Sequence, residues 1–232
     1  MELFFDLDGT LTDPAVGITL CLQHAVVRMG GEPPPAHELT RFIGPPLRTT
    51  FCELLATESP ALVEAAIGHY RERFADVGMF ENAVYADVPA ALDRLRADGH
   101  RLWLVTSKPE VYARTIVAHF KLDHHFAEMY GSELSGERVD KGELIAHVLD
   151  RQRLARERVW MIGDRAHDIV GGRSNGVRTM GVLWGYGTEE ELRGAGADVI
   201  VASMEDLRRR VSLQQGPDPT LDPLNEKRSP MR

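Results

Sequence analysis

MELFFDLDGTLTDP, residues 1–14, decides how the rest of the chain is read. Three apolar residues, Leu3–Phe5, run straight into Asp6, and Asp8 follows two positions later with Gly9 and Thr10 behind it. In an extended segment, residues two apart point to the same side, so the two acids lie close together. Like charges repel, and desolvation adds to the cost unless a cation is present. A buried strand that ends this way points to a site rather than to a core.

Working outward, Leu102–Val105, Val159–Ile162, Thr179–Leu183 and Val199–Val201 are further short apolar runs, rich in β-branched and aromatic residues. Most lie between helical patterns. Strands alternating with helices predict an α/β fold with a parallel sheet covered on both faces. Asp87 is placed to cap a helix over Val88–Ala97, with Gly99 beyond it. Pro109–Phe120 carries Val111, Ile116, Val117 and Phe120 at helical spacing, and Asp140–Glu143 has capping-box spacing before Leu144–Leu149.

One connection is too long. A parallel crossover usually needs a single helix, yet about eighty residues separate Leu3–Phe5 from Val88–Ala97. They have helical periodicity of their own. Asp13-Pro14 reads as an N-cap and first-turn proline before Val16, Leu20, Val27 and Met29, and Gly30-Gly31 as a stop. After GEPPP come a second helix near Leu47–Ala56 and a third near Ala61–Phe74. A structureless loop of this length is uncommon in a compact domain. Residues 14–84 are therefore expected to form a helical cap inserted into a discontinuous core of residues 1–13 and 85–213. Residues 214–232 are Pro-rich and polar without periodicity and read as a disordered tail.

The 232 residues are 43% apolar and 27% charged, enough for one core plus a satellite domain. A net charge of −8 disfavours a nucleic-acid polymer as partner. No apolar run approaches the ~20 residues of a membrane span. Glu2 and Asp6 interrupt what a signal peptide would need. Cys21 and Cys52 are too few for a disulfide framework and read as reduced core residues. The expected location is cytoplasmic.

Ligands of open parallel sheets bind beyond the carboxyl ends of the strands. Those ends supply Asp6 and Asp8, then Thr106, Ser107 and Lys108, then Gly163, Asp164 and Arg165, with Asp168 one turn further on. Lys141 begins a helix between the last two strands. Four carboxylates around one crevice call for a divalent cation. The donors are all oxygen, which favours Mg²⁺ over zinc. A lysine in a first helical turn opposes the helix dipole, so Lys141 implies an anion nearby. Thr106 and Ser107 stand before another helix N-terminus, a setting that suits phosphate. A carboxylate can attack phosphorus covalently while a second acts as general acid and then base. One of Asp6 and Asp8 would attack and the other handle the proton.

Other features carry less. Arg48 follows Gly44-Pro45-Pro46, a loop placed to clamp a substrate anion. Lys108 is a further candidate for substrate contact, and Arg165 reads as structural. Asp123-His124-His125 has the look of a metal pair but reads as a surface turn. Gly185-Tyr186-Gly187 lacks the Walker pattern and reads as a loop near the site.

Asp6-Leu-Asp-Gly-Thr-Leu, Thr106, Lys141 and Gly163-Asp164-Arg-Ala-His-Asp168 closely resemble, in order and spacing, the four motifs of the haloacid dehalogenase superfamily. The likeness covers about residues 1–210. Within it, the chain resembles the phosphoglycolate phosphatase-like branch. FIGPPLRTTF, TSKPEVYAR, YGSELSGERVDKGELIAHVL, GDRAHDIVGGRSNGV and GVLWGYG resemble a bacterial subgroup described as 5′-nucleotidases. The resemblance implies a Rossmann-like core with a helical cap, and Mg²⁺ as cofactor. It makes Asp6 the nucleophile and Asp8 the acid/base, with the Asp8 carbonyl on the metal. Thr106 would bind the phosphoryl group, Lys141 neutralise Asp6 and phosphate, and Asp164 ligate the metal. Asp168 would support the metal or hold Lys141. Members that cleave carbon–halogen bonds lack an aspartate at the position of Asp8, so dehalogenation is not expected. Ser107 departs from a pattern that often has Asn. The expected activity is Mg²⁺-dependent hydrolysis of a small phosphorylated metabolite through an aspartyl-phosphate. A nucleoside 5′-monophosphate is the first substrate, 2-phosphoglycolate the alternative, and a phosphomutase ranks lower. A phospho-acceptor such as a receiver domain would lack the insert and would not draw its acceptor from the first strand. A scaffold on an inactive fold would turn over no ester.

Overall fold

A computed structural model describes residues 1–213; the expected tail, 214–232, lies outside the described residues. Strand β1 (Glu2–Phe5) is central in a six-stranded sheet. A two-residue strand, β2 (Thr12–Asp13), pairs antiparallel with β3 (Ala83–Val84) in a separate ribbon. The main sheet continues with β4 (Arg101–Pro109), β5 (Phe126–Ser132), β6 (Val159–Gly163), β7 (Arg178–Val182) and β8 (Val199–Val201). Its order is β5-β4-β1-β6-β7-β8, and every pairing is parallel. The chain builds outward from β1 to β4 and β5, then returns to β6 on the other side. This reversal opens a crevice beyond the carboxyl end of β1, where the acids stand.

Leu3, Phe4 and Phe5 are fully buried because both faces of the sheet are covered. Leu3 and Phe5 join Leu102, Leu104, Trp160 and Ile162 on one face; Phe4 joins Trp103, Val105 and Met161 on the other. The helices are α1 (Ala15–Arg28), α2 (Ala36–Leu39), α3 (Leu47–Leu54), α4 (Pro60–Arg73), α5 (Val88–Ala97), α6 (Glu110–His119), α7 (Lys141–Gln152), α8 (Ala166–Ser174), α9 (Glu189–Gly194) and α10 (Met204–Leu213). Helices α5, α6 and α10 supply apolar residues to the first face and α7 to the second. Helix α4 packs on both α1 and α3, with the Phe51 ring edge-on to Tyr70 and Tyr70 stacked on Phe74.

Several local expectations need correction. Helix α1 starts at Ala15, with Pro14 at the cap position; Asp13 lies in β2 and its carboxylate accepts the Ala15 N–H at 3.0 Å. Asp87 does not cap α5 through its side chain, because its backbone is already helical (φ −86°, ψ −8°) and a capping residue needs an extended one. Asp140 does cap, accepting the Glu143 N–H at 2.9 Å. Cys21 is buried and free; Cys52 is free but only half-buried. The Asp123–His125 turn is exposed at Asp123 and His124 but buries His125.

Candidate active site

Strand β1 delivers Asp6 to the centre of the sheet edge, where its N–H donates to the Ile162 carbonyl at 2.9 Å. The chain then turns sharply. Gly9 has φ +79°, and a Cβ there would stand 2.2 Å from the Asp164 carboxylate, so conformation and space both demand glycine.

Lys141, the first residue of α7, is buried, and its ammonium hydrogen-bonds Asp6 and the Val105 carbonyl and ion-pairs with Asp168. Nζ is 2.7 Å from Asp6 Oδ1, 2.7 Å from Asp168 Oδ1 and 3.1 Å from the Val105 carbonyl. Two carboxylates thus supply the anion that its position against the helix dipole requires. The close approach of α7 and α8 depends on Gly171, where a Cβ would meet the Gly142 nitrogen at 2.9 Å. Asp168 also accepts the Arg165 N–H at 3.2 Å and so closes the first turn of α8.

Burial pushes the Asp6 carboxyl up, against the pull of Lys141. Burial works the same way on Asp168, but there the Lys141 ammonium wins and holds it below the usual range. Lys141 itself is held up by Asp168 and Asp6 despite desolvation. Asp164 has no such cation. Burial first, then the charges of Asp168 and Asp6, push it up to about 8. Its carboxylate accepts from the Thr10 hydroxyl at 3.2 Å and the Tyr186 N–H at 2.8 Å. Carboxylate oxygens of Asp6, Asp164 and Asp168 all lie within 4.8 Å of one another. This all-oxygen donor set, with one member uncompensated, fits a hard divalent cation.

The Asp8 carboxylate stands outside that cluster. One oxygen pairs with the Lys108 ammonium, and the other is buried without a hydrogen-bond partner. Lys108 Nζ also sits 4.8 Å over the Phe74 ring. Thr106 is buried and accepts the Lys108 N–H at 3.3 Å; the Ser107 carbonyl accepts from the Ser132 hydroxyl at 2.7 Å. Asp8, Thr106, Ser107 and Lys108 line a cavity of about 500 Å³ together with Asp6. Its far wall comes from α3 and α4. There Arg48 is exposed and paired with Glu64.

Sequence reasoning placed the Gly185–Gly187 loop near the site but missed the contacts that Thr10 and Tyr186 make with Asp164, and the aromatic wall of Tyr70, Phe74 and Tyr112. Phe74 meets Tyr112 edge-on at 5.2 Å. Helical spacing marks such residues as core and says nothing of the cavity they border. For Tyr186 the glycines on either side were the available signal: a Cβ at Gly185 would lie 2.3 Å from the Gly9 carbonyl and 2.4 Å from Asp164. The Tyr186 hydroxyl reaches Asp13 in β2.

Residues 3–182 match the model of a family described as haloacid dehalogenase-like hydrolase. The chain is 46% identical over 208 residues to a 5′-nucleotidase of Pseudomonas aeruginosa, across 90% of this chain and 94% of that protein. It is 35% identical over 213 residues to the tyrosine-protein kinase PtkA of Mycobacterium tuberculosis, across 91% of this chain and 72% of that protein. Among solved structures, a predicted phosphatase from Clostridium acetobutylicum superposes with a TM-score of 0.88 at 37% identity, covering 91% of this chain and 98% of that one.

Proposed function

Because this chain belongs to the haloacid dehalogenase-like hydrolase family and is a phosphatase of that family, we propose that it is a Mg²⁺-dependent phosphomonoesterase with Asp6 as nucleophile and Asp8 as general acid and base. The observation that carries this reading is the Asp6 carboxylate, 2.7 Å from a fully buried lysine at the head of the cavity, with Asp8 beside it.

An Asp6 oxygen attacks phosphorus and the ester oxygen leaves, taking a proton from Asp8. The aspartyl-phosphate at Asp6 is then attacked by water, which gives its proton back to Asp8; inorganic phosphate departs and the Asp6 carboxylate is restored. Lys141 neutralises Asp6 and the phosphoryl oxygens, and Thr106 donates its hydroxyl to the transferring group. The substrate phosphate competes with Asp8 for the Lys108 ammonium. Asp6, Asp164 and the Asp8 carbonyl, with Asp168 behind, would hold Mg²⁺, which would supply charge neutralisation at the phosphoryl group.

The substrate is a nucleoside 5′-monophosphate. A cavity of about 500 Å³ is far larger than 2-phosphoglycolate requires, and half-buried Tyr112 offers an aromatic face to a base. The 46% identical relative carries the name of this activity. Residues 14–84 act as the cap that closes over the substrate and excludes water, flexing at the β2–β3 ribbon. Arg48 exchanges Glu64 for a substrate oxygen on closure.

The test is phosphate release from a nucleoside 5′-monophosphate and from 2-phosphoglycolate, each with Mg²⁺, with chelator, and with Asp6→Asn. The nucleotide should be hydrolysed faster, and only by the wild type with Mg²⁺. A loss of at least about a thousandfold is expected for Asp6→Asn. Normal turnover by that variant overturns the mechanism, and preference for 2-phosphoglycolate overturns the substrate.

A further inference from the structure

A second cluster of metal-ligating side chains lies away from the cavity. Asp93 stands on the exposed side of α5, and His124 and His125 belong to the short turn before β5. One ligand atom from each, two imidazole nitrogens and a carboxylate oxygen, fall within 4.8 Å of one another. The two imidazole rings are 4.0 Å apart between centroids.

His125 makes this more than a surface coincidence. Its side chain is 2% exposed, yet its Nδ1 has no hydrogen-bond partner. Buried polar atoms are normally satisfied. Asp93 Oδ1 lies 3.6 Å away, beyond hydrogen-bond reach. The open nitrogen thus stands 3.6 Å from the carboxylate oxygen, a separation that two ligands of one ion can share. Among the surrounding charges, Asp123 adds a carboxylate and Arg96 opposes a cation.

We propose that Asp93, His124 and His125 form a second metal site, for a divalent transition ion of the zinc class. Two imidazoles and one carboxylate are the donors such ions prefer, whereas Mg²⁺ takes oxygen. Ligands around a tetrahedral ion with bonds of about 2.1 Å are ~3.4 Å apart. The His125–Asp93 separation is already close to this, and the exposed side chains of Asp93 and His124 supply the remaining adjustment. Water completes the shell. The ion would clamp α5 to the turn that leads into β5.

The experiment uses the full chain without an affinity tag, in excess Mg²⁺ so that the active-site acids are engaged. Zn²⁺ is titrated by calorimetry, and Cu²⁺ is added separately for electron paramagnetic resonance. Nitrogen couplings in that spectrum separate imidazole ligation from an all-oxygen site. Wild type should bind one Zn²⁺ and show coupling to nitrogen. His124→Ala and Asp93→Asn should each weaken Zn²⁺ at least tenfold, and His124→Ala should lose one of two nitrogen couplings. Both variants should keep wild-type Mg²⁺-dependent turnover. No stoichiometric Zn²⁺ binding, an all-oxygen Cu²⁺ spectrum, or unchanged affinity in both variants would overturn the proposal.

Discussion

Replacing Asp164 with Asn should stabilise the metal-free protein while removing its response to Mg²⁺. Asp164 is 1% exposed and has no cation of its own, and its carboxyl is pushed from the ordinary 3.8 to about 8. The sign follows from linkage. Below pH 3.8 the acid is neutral in both states and costs nothing. As pH rises, the unfolded chain releases its proton first, so stability is lost progressively up to about pH 8. At pH 7 about three pH units of this window have been crossed, at 1.36 kcal/mol each, a cost of about 4 kcal/mol. Asparagine removes that cost. It offers one carbonyl oxygen where the carboxylate accepts from both Thr10 and Tyr186, a loss of about 1 kcal/mol. The net gain of about 3 kcal/mol corresponds to ~10 °C in melting temperature for a chain of this length. The assay is thermal unfolding in chelator and in Mg²⁺ at pH 7, repeated at pH 4. The variant should melt higher in chelator at pH 7, and the gap should nearly close at pH 4. Mg²⁺ should raise only the wild type. A variant that melts lower in chelator, or that gains as much as wild type from Mg²⁺, would refute the reasoning.

Further outcomes follow from other contacts. Tyr112→Ala should raise KM for a nucleoside 5′-monophosphate about tenfold, from the loss of base stacking, and leave KM for 2-phosphoglycolate unchanged; steady-state kinetics on both checks this. Gly185→Ala should abolish Mg²⁺ binding and turnover, since its methyl group would collide with the Gly9 carbonyl and Asp164; calorimetric Mg²⁺ titration reads it directly. Glu81 is held below the ordinary value of 4.5 by its paired hydrogen bonds from Arg73, at 2.7 and 3.0 Å. A depressed carboxyl stabilises above its unfolded pKa and loses that contribution as pH falls. Glu81→Gln should therefore melt below wild type at pH 7, with the difference shrinking below pH 4.5.

What the sequence made legible follows from local physics. Strands buried on both faces must be continuously apolar, so β1, β4, β6 and β7 stood out; β8, at the other edge and half-buried at Val199 and Ile200, was legible from its Val-Ile-Val run. Strand β5 escaped because an edge strand carries polar residues, here Glu128 and Ser132, and β2 and β3 are two residues each. Helix α8 has no apolar stripe and packs through Gly171 and Gly172, so periodicity could not mark its full length. At the site, the strand-end rule brought Asp6, Asp8, Thr106, Lys141, Asp164 and Asp168 together on paper, and the fold places them together. Pairings across the chain were invisible. Nothing local says that Lys108 meets Asp8, a hundred residues away, or that the Tyr186 hydroxyl reaches Asp13. The Asp87 cap failed for a related reason: residue type was right, but backbone angles decide whether a side chain can reach.

The β2–β3 ribbon has a consequence for how such chains diversify. The segment between Asp13 and Ala83 departs from and returns to neighbouring strands, which lie ~4.8 Å apart. Topologically it is a cassette with adjacent ends. A two-residue turn would close the same gap, and a segment of different length or sequence could be spliced in without shifting a register in the main sheet. Recombination at these two points would exchange one helical segment for another while leaving Asp6, Lys141 and Asp164 on an undisturbed frame.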